Sequence, residues 1–221
     1  MLSVRSFTFN PFEENTYVLY NEPAYHTGRN NPCCIIDPGC YFPEERDGLK
    51  TFLEKTGLMP ILLLNTHCHI DHVFGNKFIH DTWGLPLHIH EKEKPVLDYA
   101  AAAGQMWQMP FENYEGPLIF LKEGSKIKLG KDELEIRFVP GHSPGSVCFY
   151  YEAGGFVIGG DVLFNGSIGR TDLPGGDFDT LINSIQTQLF TLPDETKVYS
   201  GHGPITTVGF EKQNNPFVKL Y

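Results

Sequence analysis

The apolar run Ile61-Leu62-Leu63-Leu64 passes directly into Asn65-Thr66-His67-Cys68-His69-Ile70-Asp71-His72. A short continuous apolar run bounded by polar residues reads as a strand buried on both faces. Here that strand must end in three imidazoles and a carboxylate. Such a concentration of titratable groups beside a core is costly unless the groups are neutralised or ligated. Neutral imidazole is a ligand for zinc, iron, copper and nickel, so a metal site is the economical reading.

The spacing decides which side chains can meet. His67 and His69 on a helix would point roughly 200° apart and could not grip one ion. In extended chain, alternate residues share a side, so His67, His69 and Asp71 converge. His72 points elsewhere once the chain turns into the helix that follows. One segment can therefore serve two neighbouring ions, His67 and His69 for one, Asp71 and His72 for the other. Further ligands must come from later loops. His142 in FVPGHSPGS, Asp161 in VIGGDVLF and His202 in VYSGHGP each follow a strand-like run and adjoin glycine, which lets backbone bend closely around a site. A carboxylate such as Asp161 can bridge two cations. His88 and His90 share the two-residue spacing but have neither carboxylate nor glycine turn beside them. With His26 and His80 they read as core or surface histidines.

The 221 residues fit one large domain. A net charge of −10 and no basic run argue against a nucleic-acid partner. No apolar run of about 18 residues is present, so no membrane span is expected. The opening MLSVRSFTFNPFEENTY lacks signal-peptide character, and a cytoplasmic address follows as the expectation. Five cysteines, an odd number, point to reduced thiols, with Cys33 and Cys34 packed in the core.

VRSFTF and NTYVLY read as strands, NEPAYHTGRNNP as a polar loop or hairpin, and CCIIDPG as a buried strand. PEERDGLKTFLEKTG reads as a helix entered at Pro43 and ended by Gly57. FGNKFIHDTWG is a second helix and LPLHIH a strand. EKEKPVLDYAAAAGQMWQMP is helical with a break near Pro95. Strands return in KIKLG, ELEIRFVPGH, SVCFYYE and FVIGGD, with turns at Gly130-Lys131-Asp132 and Gly154-Gly155. GSIGRTDLPGGD is a loop, FDTLINSIQTQLFTLP a helix with Asp179 as its cap, KVYSGHG a last strand, and FEKQNN a short terminal helix.

THCHIDH resembles the T-H-x-H-x-D-H signature of the metallo-β-lactamase superfamily, and GHSPGS, GGDVLF and SGHGP resemble its later metal motifs in the same order. With IDPG near the start, the resemblance covers essentially the whole chain. It implies an α+β fold, the αβ/βα sandwich of two mixed β-sheets with helices outside and metals at one edge, formed by residues 1–221 as a single domain. Within the superfamily the chain looks like the compact glyoxalase II-like branch, the hydroxyacylglutathione hydrolase-like proteins, on LFNGSIGRTDLPGGD, LINSI and GHGPITTVGFEKQNNPF. The resemblance assigns His67, His69 and His142 to one metal, Asp71, His72 and His202 to a second, and Asp161 to both. The expected cofactors are two divalent ions, zinc first, with iron or manganese accepted by the same donors.

The helical C-terminal domain that holds glutathione in full-length glyoxalase II has no counterpart in this sequence. Residues 94–117 are the alternative cover for the metal edge. Met106, Trp107, Met109, Phe111 and Tyr114 either line an apolar pocket there or pack the helix onto the sandwich. Arg170 either contacts a substrate carboxylate or pairs with Asp172 or Asp177. Thr66, Ser143, Thr171 and Asp37 are candidates to orient the imidazoles.

The implied reaction is hydrolysis of a small-molecule thioester. A water activated between the cations is the nucleophile, Asp71 orients it, and the thiolate leaves without a strong general acid. The competing class is a persulfide dioxygenase on the same fold, with one iron held by two histidines and an aspartate. GHGPITT favours the hydrolase branch. Lactone, lactam and phosphodiester hydrolysis are further options, and a non-catalytic metal-binding module is the remaining class.

Overall fold

The computed structural model describes residues 1–21 and 31–218, so most of the loop NEPAYHTGRNNP lies outside the described residues. Two six-stranded sheets pack face to face. The first runs in the order β1 (Leu2–Phe9), β2 (Glu14–Asn21), β3 (Asn31–Ile36), β4 (Leu58–Leu64), β5 (Leu87–His90), β6 (Leu118–Leu121). Its first three strands are antiparallel and its last four parallel. The second contains β7 (Lys126–Leu129), β8 (Asp132–Phe138), β9 (Val147–Tyr151) and β10 (Phe156–Gly160), then β13 (Lys197–Ser200) and β14 (Thr206–Thr207). Between β10 and β13 in the chain lies a small hairpin, β11 (Leu163–Phe164) and β12 (Ser167–Ile168).

Period-two alternation assigns side chains to layers. In β3, Cys34 and Ile36 join Leu19, Leu64, Ile136, Phe149 and Ile158 between the sheets. Cys33 and Ile35 point outward instead, into a second apolar layer with Leu49, Leu53, Ile79 and Leu97. These last come from α1 (Pro43–Thr56), α3 (Asn76–Trp83) and α4 (Lys94–Met106). In β9, Phe149 faces in, while Cys148 and Tyr150 face the helices α5 (Phe178–Ser184) and α6 (Val208–Asn214) through Leu181 and Val208. The result is the four-layer αβ/βα sandwich. All five cysteines are buried free thiols.

The elements follow local chemistry. Pro43 opens α1, and Gly57 closes it in the left-handed region at φ 66°. β4 is covered on both faces only toward its end. Leu63 and Leu64 are buried, whereas Met59 and Ile61 are exposed. Its neighbour β5 pairs with Leu63 and Leu64 alone, so Pro60 lies where one side of the strand needs no donor.

Three readings are corrected. Pro95 does not break α4; it occupies the first turn, where its missing N–H costs nothing, after a 3₁₀ turn over Glu91–Glu93. The cap of α5 is Asp177, which accepts from the Thr180 amide at 2.8 Å; Asp179 sits inside the first turn. The strand β6 and the hairpin β11–β12 were not distinguished in the sequence, because each is short and β6 pairs with a strand some thirty residues earlier.

Candidate metal centre

The strands β4, β10 and β13 and the turn between β8 and β9 all deliver loops to the same edge of the sandwich. Between Leu64 and Ile70 the chain is non-helical, with a bend at Thr66, and His69 is extended at φ −66° and ψ 155°. His67 and His69 therefore fall on one side, and Cys68 between them turns into the outer apolar layer. The chain then winds into α2 (Ile70–Val73), which sends Asp71 and His72 to a neighbouring point.

Two triads result, His67 with His69 and His142, and Asp71 with His72 and His202, the donor atoms in each lying within 4.8 Å of one another. His142 Nε2 is 3.2 Å from His67 Nε2 and 2.8 Å from His69 Nδ1. In the second triad His202 Nε2 is 3.1 Å and His72 Nε2 3.7 Å from Asp71 Oδ2. Asp161 stands between the triads. Its Oδ1 is 3.4 Å from His72 Nε2, and its Oδ2 is 3.6 Å from His142 Nε2 and 3.5 Å from His202 Nε2. All seven residues expected from the sequence meet at this edge.

The arrangement fits cations. His72 Nε2 and Asp161 Oδ1 are buried without a hydrogen-bond partner. Three imidazole nitrogens face one point, where a single proton could not satisfy them all. Nitrogens bound tetrahedrally to zinc at 2.0–2.1 Å stand about 3.3 Å apart, close to the spacings here.

The electrostatics divide the histidines. Burial pushes His67 well down, and the neighbouring imidazoles His72, His142 and His69 push it further. His69 is lowered to about 3 by burial and then by His142. Burial also lowers His142 despite the Asp161 carboxylate. For His72 the burial penalty is outweighed by Asp161 and Asp71, which raise it well above its usual value. His202 is raised in the same way by its hydrogen bond to Asp71 and by Asp161. Asp161 is held well below the usual carboxylate range, its burial overcome by His72. The first triad is thus neutral at pH 7, as ligation requires, and in the second Asp71, with Asp161 beside it, is matched to two imidazoles.

A layer beneath holds the rings in place. His202 Nδ1 donates to the Phe12 carbonyl at 2.9 Å and His142 Nδ1 to the Arg170 carbonyl at 2.8 Å. Asp37 accepts from the Thr66 hydroxyl at 2.6 Å, and that hydroxyl lies 3.1 Å from His67 Nδ1. The same carboxylate stands 3.2 Å from His72 Nδ1. Three rings, His67, His142 and His202, therefore meet an acceptor at Nδ1 and turn Nε2 to the centre, while His69 turns Nδ1 inward. Asp37 adopts a left-handed φ of 50°, a strained conformation for a non-glycine residue, with its carboxylate fixed by Thr66 and Asn65. Of the orienting candidates, Thr66 and Asp37 reach imidazoles. Ser143 donates to Glu93 instead, and His142 is held by the carbonyl of Arg170, one residue before Thr171.

Two buried carboxylates escaped sequence reasoning. Glu93 accepts from the Cys68 amide, the Gly145 amide and the Ser143 hydroxyl at 2.6–2.7 Å, tying the first histidine loop to the His142 loop. Burial raises its pKa. It lies in EKEKP, which reads as a solvated charge run. Glu14 is wholly buried under the second triad, 3.9 Å from His72 Nδ1, with the Thr16 hydroxyl on its other oxygen. Its only signal is a lone acid in a strand that is otherwise fit for burial.

The substrate-side residues divide. Trp107 lines a cavity of about 540 Å³ that opens on His69, Asp71, His142, Asp161 and His202, and Arg170 lines it too. Arg170 is exposed and paired with Asp172, at 2.7 Å through Nε and through Nη2. Tyr114 is corrected: it is buried, donates to the Pro117 carbonyl and accepts from the Leu87 amide, and its ring packs on His80 away from the cavity. Met109 and Phe111 pack against the outer apolar layer. His88 and His90 bond to the Leu63 carbonyl and the Lys92 amide, apart from the centre.

Residues 11–202 match the model of the metallo-beta-lactamase superfamily, and the chain belongs to that family. It is 39% identical over 97% of its length and 96% of the other to the probable metallo-hydrolase YqgX of Bacillus subtilis. It is 34% identical to the hydroxyacylglutathione hydrolase GloC of Haemophilus influenzae, covering 94% of this chain and 93% of that one. Among solved structures, the BLEG-1 B3 metallo-beta-lactamase is 36% identical with a TM-score of 0.86 over 99% of each chain. TTHA1623, solved in a di-iron-bound form, is 37% identical with a TM-score of 0.85 over 97% of this chain and 100% of that one. The chain is a metallo-hydrolase of this superfamily. No helix among its described residues is long and apolar enough to cross a membrane.

Proposed function

We propose that this metallo-hydrolase holds two divalent cations and cleaves a small-molecule thioester. The observation that carries the reading is the pair of triads sharing Asp161. GloC, similar over nearly its whole length, is named for thioester hydrolysis, and TTHA1623 was solved with two irons. His67, His69 and His142 would hold one ion, Asp71, His72 and His202 the other, and Asp161 both. Bound there, the cations would lower the pKa of a water and polarise a carbonyl oxygen.

The chain's own residues supply the rest. Asp71 Oδ2 lies 3.1 Å from His202 Nε2 and borders the cavity, so it is placed to orient an attacking water and accept its proton. The carbonyls of Phe12 and Arg170 hold the Nδ1 protons of His202 and His142, which would leave both Nε2 atoms to face a bound cation. Thr66 and Asp37 do the same for His67. A thiolate leaves without protonation, so the site needs no further acid on the leaving side.

The test is loss of thioester absorbance in the metal-loaded protein, with S-D-lactoylglutathione and with a neutral N-acetylcysteamine thioester, beside Asp71→Ala. Turnover that disappears in the variant supports the reading. Absence of turnover on both substrates, with metal shown to be bound, refutes it. Nitrocefin is the parallel substrate, because a lactamase is among the similar structures.

A further inference from the structure

The cavity beside the metal edge has a composition that the thioesterase reading leaves unused. One wall is α4, which presents Val96, Tyr99, Ala100, Ala103 and Met106 to it, with Trp107 capping its end. These positions follow the i, i+3, i+4 rule, so they form one continuous stripe along the helix. Such a stripe is usually core. Here Val96, Ala100 and Ala103 also meet the outer apolar layer, but Tyr99 is 52%, Met106 72% and Trp107 54% exposed, so the outer part of the stripe is left largely uncovered. The core-facing side of the helix is instead Leu97, Ala100 and Gly104. Gly104 allows residues 109–111 to fold close against it, since a Cβ there would lie 2.7 Å from the Met109 carbonyl oxygen. The opposite wall is apolar as well, with Phe164, Ile168, Leu173 and Pro174, and Phe12 meets Trp107 edge to face at 5.7 Å.

Charge narrows the ligand further. Most polar residues lining the cavity belong to the metal edge: His69, Asp71, His142, Asp161 and His202. Arg170 is the single Lys or Arg among the described lining residues, and Asp172 already holds it in a two-pronged pair. Alanines at 100 and 103 leave depth between the large side chains. A cavity of about 540 Å³ is in the range that buries a small organic ligand.

We propose that the thioester cleaved here carries an uncharged, medium-length apolar acyl group, which lies along the α4 stripe while its carbonyl reaches the metal edge. The inference rests on the thioesterase reading and adds to it the class of acyl group. Each methylene fully removed from water is worth about fourfold in binding. Lengthening the chain from acetyl to octanoyl should therefore raise kcat/KM at least tenfold, even with the cavity open at its mouth.

The test uses the metal-loaded full chain and N-acetylcysteamine thioesters of acetate, hexanoate and octanoate, with S-D-lactoylglutathione alongside. A rise in kcat/KM with chain length supports the proposal. So does a fall in the octanoyl-to-acetyl ratio in Ala103→Phe, which fills the cavity, and in Trp107→Ala, which removes its wall. A non-hydrolysable S-octyl thioether should shift tryptophan fluorescence and lose that shift in Trp107→Phe, a readout independent of turnover. Thioesters cleaved without preference for length, or lactoylglutathione cleaved best, overturn the acyl assignment and leave the thioesterase reading standing. If no thioester is cleaved while metal is bound, the thioesterase reading fails. The acyl assignment then falls with it.

Discussion

Gly201 offers a direct test of whether Asp161 joins the two triads. Its backbone lies outside the left-handed region, so alanine is conformationally acceptable there. The obstacle is space. A Cβ on Gly201 would overlap Asp161 Oδ1 and stand 2.8 Å from His72 Cε1. Restoring an ordinary contact moves the carboxylate oxygen by more than about 1 Å, whereas metal–ligand distances are held to about 0.2 Å. Asp161 cannot retreat freely, because His72, His142 and His202 surround it. Gly201→Ala should therefore weaken cation binding at least about 100-fold, or about 2.7 kcal/mol. Overpacking should cost the metal-free fold about 1–3 kcal/mol, a fall of several degrees in Tm for a chain of this size. Competition titration against a chelating indicator reads the first quantity, and thermal unfolding with chelator reads the second. A variant that binds both equivalents as tightly as the parent would refute the shared position of Asp161.

Glu93→Gln removes one charge-assisted acceptor from the knot joining Cys68, Ser143 and Gly145, partly offset by relief of a buried charge. It should cost about 1–2 kcal/mol by urea denaturation. Tyr114→Phe should cost about 1 kcal/mol through its lost bonds to Leu87 and Pro117 and leave hydrolysis at the parent rate. In the metal-free protein, His69 is lowered from 6.5 to about 3, chiefly by burial. Its contribution to stability is complete above pH 6.5 and is lost as pH falls toward 3, because the unfolded chain takes up the proton first. Urea midpoints of the metal-free parent should thus fall more steeply than those of His69→Gln between pH 6.5 and 4, and parallel profiles would contradict the burial of that ring. His72 and His202, both raised, have the opposite sign: their share is present below pH 6.5 and fades as pH rises.

The metal-side residues were legible because their spacing carries geometry. Extended chain puts His67 and His69 on one side and Cys68 on the other, and the structure places Cys68 in the core layer for that reason. Glycine beside His142, Asp161 and His202 marked the other loops, and Gly201 has a steric reason to be there. The supporting acids were not legible. Glu93 sits in a run that reads as a solvated helix start, and its burial depends on two loops that close over it from about 25 and 50 residues away. Tyr114 illustrates the converse error. An aromatic residue in a segment near the site was a candidate to face the substrate, but its hydroxyl bridges the Leu87 amide and the Pro117 carbonyl, which also bond to each other at 3.0 Å, and so is held away from the cavity.

The stripe on α4 shows where sequence stops and structure begins to decide. Periodicity in the sequence marks a helix with an apolar face, and that signal is the same whether the face meets a core or a ligand. What separates the two is whether anything covers it. In α1, Leu49 and Leu53 are fully buried against the sheet. In α4, Tyr99 and Met106, with Trp107 just past its end, keep half or more of their surface exposed, beside the five metal-edge residues that open on the same cavity. Leaving that area in water costs free energy that simple repacking would recover. Its persistence next to the reactive edge is accounted for if an apolar substrate group covers it during turnover, and chain-length dependence of kcat/KM measures that cover.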